Sequence, residues 1–352
     1  MVNVKNTIQK MNPYSPPLEG RASEGYLLLD FNEMTIEPSP KVKRALKEFV
    51  DSGRIQVYPE YGDLDKVIAK YVGCEAGEVL VTNGSDQAIE VILRTFLEKG
   101  DKIVIPSPSF AMFYQSAQVQ GAEIITPHYT KENLDFPLTE VLNLLEQRPT
   151  CLILCNPNNP TGTAITKEDV HKMLEKAKEN NVVVLHDEAY FEFSGITAKD
   201  FIKEFDNLFI TRTFSKQFGL AALRIGYVIS QKKNIEELRK IRGPYDVNMF
   251  AKTAVVAALD DVDYARKYAT EVMEEAKPRV EAFFREHHIK FYESSANFLL
   301  VKPEDSEKTF QRLQAEGILV RPRKDLPGTI RISIGTLNDT ERFIQAYSNL
   351  LG

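Results

Sequence analysis

Lys216 lies in the segment Thr213-Phe214-Ser215-Lys216-Gln217-Phe218-Gly219, with Phe214, Phe218 and Leu220 around it and Arg224 eight residues on. A lysine with the usual pKa near 10.4 is neutral at pH 7 in only about one molecule in a few thousand. Burial and a neighbouring cation both lower that pKa, and a neutral amine attacks carbonyl carbon. Asp187, in His186-Asp187-Glu188-Ala189-Tyr190, follows the apolar run Val182-Val183-Val184-Leu185. A carboxylate at such a place has little water. It takes up a proton, or it needs a cation or strong donors. A metal reading of His186-Asp187-Glu188 fits no zinc-ligand spacing. Upstream, Asn83-Gly84-Ser85-Asp86-Gln87 precedes the helical pattern Ala88, Ile89, Val91, Ile92. A glycine turn followed by free helix-start N–H groups can hold an anion, though Ser85 or Asp86 could also serve simply as a helix cap. Neither GxGxxG nor GxxxxGK[ST] occurs, so the common dinucleotide and P-loop readings lose support.

These residues follow short apolar runs: Val79-Leu80-Val81, Lys102-Ile103-Val104-Ile105, Glu123-Ile124-Ile125, Cys151-Leu152-Ile153-Leu154-Cys155, Val182–Leu185, Leu208-Phe209-Ile210 and Ile225–Ile229. Runs this apolar are strands buried on both faces, and the helical segments between most of them make the sheet mainly parallel. Ligands of such sheets sit at the carboxyl ends of the strands. There the chain places Thr82–Asp86, Pro106–Phe110, Asn156–Gly162, His186–Tyr190 and Thr211–Lys216. Beyond about residue 231 helices dominate (235–241, 248–259, 263–286). The tail then mixes short strands, Phe298–Val301 and Ile330–Ser333, with helices near 305–316 and 338–350. The expected architecture is α/β, with a large domain built on a seven-stranded, mainly parallel sheet flanked by helices and a smaller α+β domain. Residues 1–40 form an arm and part of the small domain, 41–270 the large domain and 271–352 the small one. The arm contains Met11-Asn12-Pro13-Tyr14-Ser15-Pro16-Pro17, which no helix tolerates.

The chain has 352 residues, 43% of them hydrophobic and 27% charged, which suits two soluble domains rather than disorder. A net charge of −6 argues against a nucleic-acid partner. No apolar run approaches the ~18 residues of a membrane span, and the N-terminus lacks a signal-peptide layout. Three cysteines, Cys74, Cys151 and Cys155, cannot all pair. Cys151 and Cys155 read as packing residues of one strand, and the expected location is the cytoplasm.

The ordered set Asn158-Asn159-Pro160-Thr161-Gly162, His186–Tyr190, Thr213–Lys216, Arg224-Ile225-Gly226 and Arg331-Ile332-Ser333 resembles the fold-type-I aminotransferases that use pyridoxal 5'-phosphate (PLP). Asn12-Pro13-Tyr14, Val57-Tyr58-Pro59-Glu60, Gly84-Ser85-Asp86, Pro108-Ser109-Phe110 and Ile330–Gly335 are similar to the histidinol-phosphate aminotransferases within that group. The resemblance implies that Lys216 carries the cofactor and later moves the substrate Cα proton, and that Asp187 pairs with the pyridinium nitrogen. It implies that Asn159 and Tyr190 bond the ring 3'-oxygen and that Phe110 stacks on the ring. The phosphate falls to the N–H groups of Ser85 and Asp86, the hydroxyls of Thr213 and Ser215, and Arg224. Arg331 would clamp a substrate carboxylate. Asn32 and Arg321 would lie on the substrate side. A homodimer with shared sites is implied too, with Tyr58 reaching the neighbour's phosphate and Tyr14 the neighbour's substrate.

The same resemblance implies amino transfer from L-histidinol phosphate to 2-oxoglutarate. Other readings on this scaffold are an aromatic or other amino-acid aminotransferase, a decarboxylase of a phosphorylated amino acid, and a catalytically silent binding protein. The chain departs from the family pattern at Met34-Thr35-Ile36, on the substrate side, and at Asp246, where the family has an amide. An acid near a substrate phosphate calls for an intervening cation, and Arg321 and Arg323 are the candidates.

Overall fold

The computed structural model describes every residue except 1, 14, 15, 17–19, 22–24 and 352. Seven strands form the main sheet. From one edge to the other they are Val79–Thr82, Gly226–Ile229, Leu208–Thr213, Val183–Asp187, Cys151–Cys155, Lys102–Val104 and Glu123–Ile125. Gly226–Ile229 runs antiparallel to both its neighbours, and the remaining pairs are parallel. All seven apolar runs of the sequence are strands. The central ones are buried along their whole length, as in Cys151–Cys155 and Leu208–Thr213.

Burial on both faces divides each strand between two cores with a period of two. Leu152, Leu154, Val184, Leu208 and Ile210 belong to one core. Cys151, Ile153, Cys155, Leu185 and Phe209 belong to the other, against Ala88, Ile89 and Ile92 of the helix Gly84–Phe96. Each fully buried Leu or Ile contributes about 1.5–3 kcal/mol. The alternation also decides which way the polar strand ends point. Asp187 and Thr211 keep the parity of Leu185 and Phe209, while His186, Glu188 and Arg212 face the opposite side. There Arg212 Nη2 donates to Glu188 Oε2 at 2.8 Å and the guanidinium stacks 3.5 Å over Phe191.

A second, antiparallel sheet runs Arg321–Arg323, Thr329–Ser333, Phe298–Lys302, Lys290–Tyr292. Val280, Phe284, Phe343 and Tyr347, from the helices Lys277–Glu286 and Leu337–Leu351, cover it. Leu27–Leu28 of the arm pairs in parallel with Ile318–Leu319, and Leu27 and Leu29 join this same core. The expected helix 263–286 is one helical run, α over Val262–Thr270, π over Glu271–Ala276 and α again from Lys277. Pro278 brings no N–H to the ladder, which accounts for the wider turn just before it. Among the described residues no helix is long and apolar enough to cross a membrane.

Gly226 is where sheet and anion-site helix meet. A Cβ there would lie 2.6 Å from Ser85 N and 2.7 Å from Arg212 O, both backbone atoms. Gly226→Ala is therefore expected to destabilise the protein by about 3 kcal/mol, read as a lower melting temperature. A variant that melts with the wild type would show that this contact does not constrain the helix.

Candidate active site

Asp187 ends its strand 3% exposed. Its partners are neutral. Thr211 Oγ1 donates to Oδ1 at 2.6 Å and Cys155 Sγ to Oδ2 at 3.7 Å. No lysine or arginine forms an ion pair with it among the described residues. Burial, opposed by the Thr211 hydroxyl, pushes the carboxyl up to about 6 from 3.8. The site thus holds a dry carboxylate that lacks a cation.

Lys216 follows the end of Leu208–Thr213 in a turn closed by Gly219 N bonding back to Lys216 O. Its Nζ donates to Phe31 O at 2.9 Å and sits 5.7 Å from the Tyr190 ring centroid. Burial lowers its pKa from 10.5 to about 8, followed by the positive charge of Arg331. The sequence pointed to Arg224 as the neighbouring cation. Arg224, whose guanidinium is paired with Asp86 at 2.9 Å, does push in that direction, but behind Arg331. The Tyr190 hydroxyl accepts from Asn32 Nδ2 at 2.9 Å, and burial raises its pKa to about 12. Asn32 holds a left-handed backbone, φ 55°, which asparagine tolerates better than most residues. Its side-chain Oδ1 accepts from Ser333 Oγ at 3.0 Å, so the arm, the small sheet and Tyr190 are tied at one residue.

The glycine turn and the helix expected for the anion site are present. The helix starts at Gly84, φ 76°, and its first N–H groups have no acceptor within the helix. A Cβ at Gly84 would sit 2.7 Å from Arg224 Nη2, so glycine is what lets the guanidinium reach the helix start. Thr213 Oγ1 donates to Ser215 Oγ at 2.9 Å, and Arg224 Nη1 lies 3.5 Å from that same oxygen. Ser85, Asp86, Thr213, Ser215 and Arg224 are thus gathered around one spot.

Facing it from the small sheet, Arg331 donates from Nη1 to Asn159 Oδ1 at 2.6 Å and from Nη2 to Asp30 O at 2.7 Å. Arg321 lies 5.2 Å from the Phe31 ring centroid and pairs with no carboxylate among the described residues. The expected cation for Asp246 is absent. Asp246 Oδ2 accepts from Gln87 Nε2 at 2.5 Å and Gly243 N at 2.8 Å, and Arg323 is taken by Asp325 at 2.6 Å. The acid serves as a loop tie to the anion-site helix and needs no arginine. Phe110 caps the helix Ala111–Gln120, half-buried and edge-on to Phe113 at 5.6 Å. Tyr58 is 75% exposed, its ring 4.7 Å from Tyr245. Tyr14 lies outside the described residues.

Sequence reasoning missed Arg21. Its Nε donates to Asp30 Oδ2 at 2.8 Å, its Nη2 to Glu33 Oε2 at 2.5 Å, and it stacks 4.3 Å over Phe31. The arm has no periodicity that could have singled it out. A cavity of about 370 Å³ opens beside this cluster, between Leu28, Glu33 and Met34 of the arm and Ser215 and Gly219 of the lysine turn.

These residues fit PLP by the chemistry of the donor set. There is a buried amine for its aldehyde, an anion site for its phosphate, and a dry carboxylate lacking the cation that a protonated ring nitrogen would supply. A mainly parallel seven-stranded sheet with these groups at its strand ends is the fold-type-I PLP transferase architecture.

The chain belongs to the aminotransferase class I and II family, whose model matches residues 24–346. It is 37% identical to a histidinol-phosphate aminotransferase of Staphylococcus carnosus, over 98% of this chain and 99% of that one. It is 38% identical to a dihydroxyacetone phosphate transaminase of Campylobacter jejuni, over 96% and 94%. The solved histidinol-phosphate aminotransferase of Sinorhizobium meliloti in complex with pyridoxal-5'-phosphate superimposes with a TM-score of 0.88 over 99% of both chains. At 23% identity that likeness is one of fold.

Asp187 has a measurable signature without cofactor. Its carboxyl is protonated more readily folded than unfolded, so it costs nothing below the ordinary carboxylate pKa and destabilises the fold progressively as pH rises from about 4 through about 6. The difference corresponds to about 3 kcal/mol. Asp187→Asn should melt higher than the wild type at pH 8 in the cofactor-free protein and equally at pH 4. Equal melting at both pH values would mean that the carboxylate is compensated.

Proposed function

We propose that this protein is a PLP-dependent transaminase that moves the amino group of L-histidinol phosphate to 2-oxoglutarate, giving imidazole acetol phosphate and L-glutamate. The observation that carries the reading is the pairing of Lys216 with Asp187. One is an amine whose burial eases loss of its proton and the other an acid without a cation partner, and both are buried at the ends of adjacent strands. When bound, PLP supplies a carbonyl that condenses with amines and a protonated ring that withdraws electrons from the substrate Cα.

The chain's own residues do the rest. Asp187 would keep the ring nitrogen protonated, Tyr190 and Asn159 would hold the 3'-oxygen, and Phe110 would cover the ring. The helix-start N–H groups of Ser85 and Asp86, with Thr213, Ser215 and Arg224, would hold the phosphate, and the Arg224 guanidinium would then be shared between Asp86 and the phosphate or leave Asp86. Lys216, once free, takes the Cα proton on Nζ. With a pKa near 8, about a quarter of such amines are neutral at pH 7.5, against about 0.1% at 10.5. Arg331 meets the α-carboxylate of glutamate with its planar fork, and Asn159 already fixes one of its nitrogens. Arg321, without an acidic partner, is the residue for the phosphate of the amino donor.

The relative of Campylobacter jejuni supports a second reading, transfer to dihydroxyacetone phosphate. Both readings need a phosphate-bearing substrate, and the departure at Met34–Ile36 lies where they would differ. We further propose a cytoplasmic homodimer with shared sites. The exposed Ile55, Val57, Tyr58 and Tyr245 form an apolar face suited to a second subunit, to which Tyr58 and the arm with Tyr14 would contribute. Of the proposed domain limits 1–40, 41–270 and 271–352, the one near 270 is supported by the long helix, where Ala265 packs in the core of the main sheet and Tyr268 and Val272 in that of the small one.

The test is an amino-transfer assay with L-histidinol phosphate and 2-oxoglutarate, run beside glutamate and dihydroxyacetone phosphate. Glutamate formed in the first supports the leading reading, and turnover only in the second replaces it. Borohydride reduction of the PLP-loaded protein should label Lys216, and labelling elsewhere removes the assignment. Arg321→Ala should raise KM for the phosphate substrate about tenfold or more while leaving that for 2-oxoglutarate within about twofold. Equal effects on both would move the phosphate subsite away from Arg321.

A further inference from the structure

Cys155, Asp187 and Thr211 are Cα partners across three adjacent parallel strands, Cys155 opposite Asp187 and Asp187 opposite Thr211. In-register neighbours present their side chains on one face, so the acid stands between a thiol and a hydroxyl. Each sends one donor to a different carboxylate oxygen, Thr211 to Oδ1 at 2.6 Å and Cys155 to Oδ2 at 3.7 Å. The torsion about the carboxylate of an aspartate is broad, and two donors from opposite sides remove that freedom. Both donors are neutral. A charged donor would have compensated the acid and left it a weak partner for a ring nitrogen. The same S–H also has Pro157 O within reach at 3.5 Å, so its one proton is divided between two acceptors at this strand end. Burial and the charge of Asp187 push its pKa well above 9, so it stays a donor. The sequence suggested only packing for Cys155.

We infer that Cys155 and Thr211 are a pair of positioning residues, one donor per oxygen, that set the plane in which Asp187 meets the ring nitrogen of the cofactor. The inference rests on the proposed role of Asp187 and goes beyond it. Cys155 does not touch the cofactor in this scheme. It acts through Asp187.

The test uses the protein loaded with PLP labelled with 15N in the ring and the variants Cys155→Ala, Cys155→Ser, Thr211→Val and Thr211→Ser. Losing a donor makes the carboxylate more basic and draws the shared proton toward it. In Cys155→Ala and Thr211→Val the ring 15N resonance should move toward that of neutral pyridine, farther in Thr211→Val, whose lost bond is the shorter. Turnover should fall about threefold to tenfold for Cys155→Ala and about tenfold or more for Thr211→Val, with KM for glutamate within about twofold in both. Both serine variants should return to near wild-type shift and turnover. A resonance unmoved in both variants overturns the inference. So does Cys155→Ser behaving as Cys155→Ala, which would make the thiol a packing group. A wild-type resonance already at the neutral position would instead remove the role of Asp187 itself, and the positioning role with it.

Discussion

A carboxylate held dry without a cation is the constraint on which the rest of this structure depends. Asp187 is buried because its strand is apolar on both faces and ends inside the molecule. The fold could have neutralised it with Arg212, one strand away. The two-residue period of the strands forbids that, since Arg212 faces the opposite core and is committed to Glu188. Asp187 is left with a hydroxyl and a thiol, enough to hold it and too little to satisfy it. In the proposed function a protonated ring nitrogen would restore the balance, turning the unfavourable burial of Asp187 into affinity for the cofactor.

Lys216 is prepared by the complementary effect. Burial favours its neutral form, and the nearby Arg331 adds to that. The cation proposed to receive a substrate carboxylate is thereby one of those that lower the pKa of the amine. Arg331 comes from the small sheet, yet it bonds Asn159 at the end of a main-sheet strand and the backbone of Asp30 in the arm. Asn32 repeats this linkage through Tyr190 and Ser333. Besides the pairing of Leu27–Leu28 with Ile318–Leu319 and the apolar contacts between the parts, the two sheets and the arm are joined at these site residues. A shift of the small sheet would therefore alter the amine, the phenol and the carboxylate clamp together.

Much of this was legible in the sequence. Strands buried on both faces are continuous apolar runs, and all seven declared themselves. Because a parallel sheet collects function at its carboxyl ends, the polar residues after each run name the candidate site, and the structure gathers them at those ends. Lys216, Asp187, Ser85, Thr213 and Arg224 needed no more than that. What escaped notice is what depends on neighbours distant in the chain. Arg21 has no pattern around it, and its carboxylates lie nine and twelve residues on in an arm without periodicity. Asp246 looked like a charge in search of an arginine, because a sequence does not show that Gln87 stands beside it. Cys155 looked like packing, because strand register is invisible in one dimension.

The same limit explains why substrate choice is less determined than cofactor choice. The residues proposed to hold PLP stand on the rigid ends of a buried sheet. Glu33 and Met34, which line the cavity beside the lysine turn, and Arg321, proposed for the donor phosphate, come from the arm and the small sheet, on segments whose local sequence has no period to obey. Met34 illustrates the freedom. Its sulfur lies where a side chain at position 219 would reach, 2.7 Å from a Cβ built there, so the glycine of the lysine turn and the methionine of the arm are coupled. Gly219 itself has φ 67°, which keeps it glycine for backbone reasons and leaves room for a long side chain at 34. The wall beside the amine can thus change its chemistry through the arm alone, with no cost to the sheet.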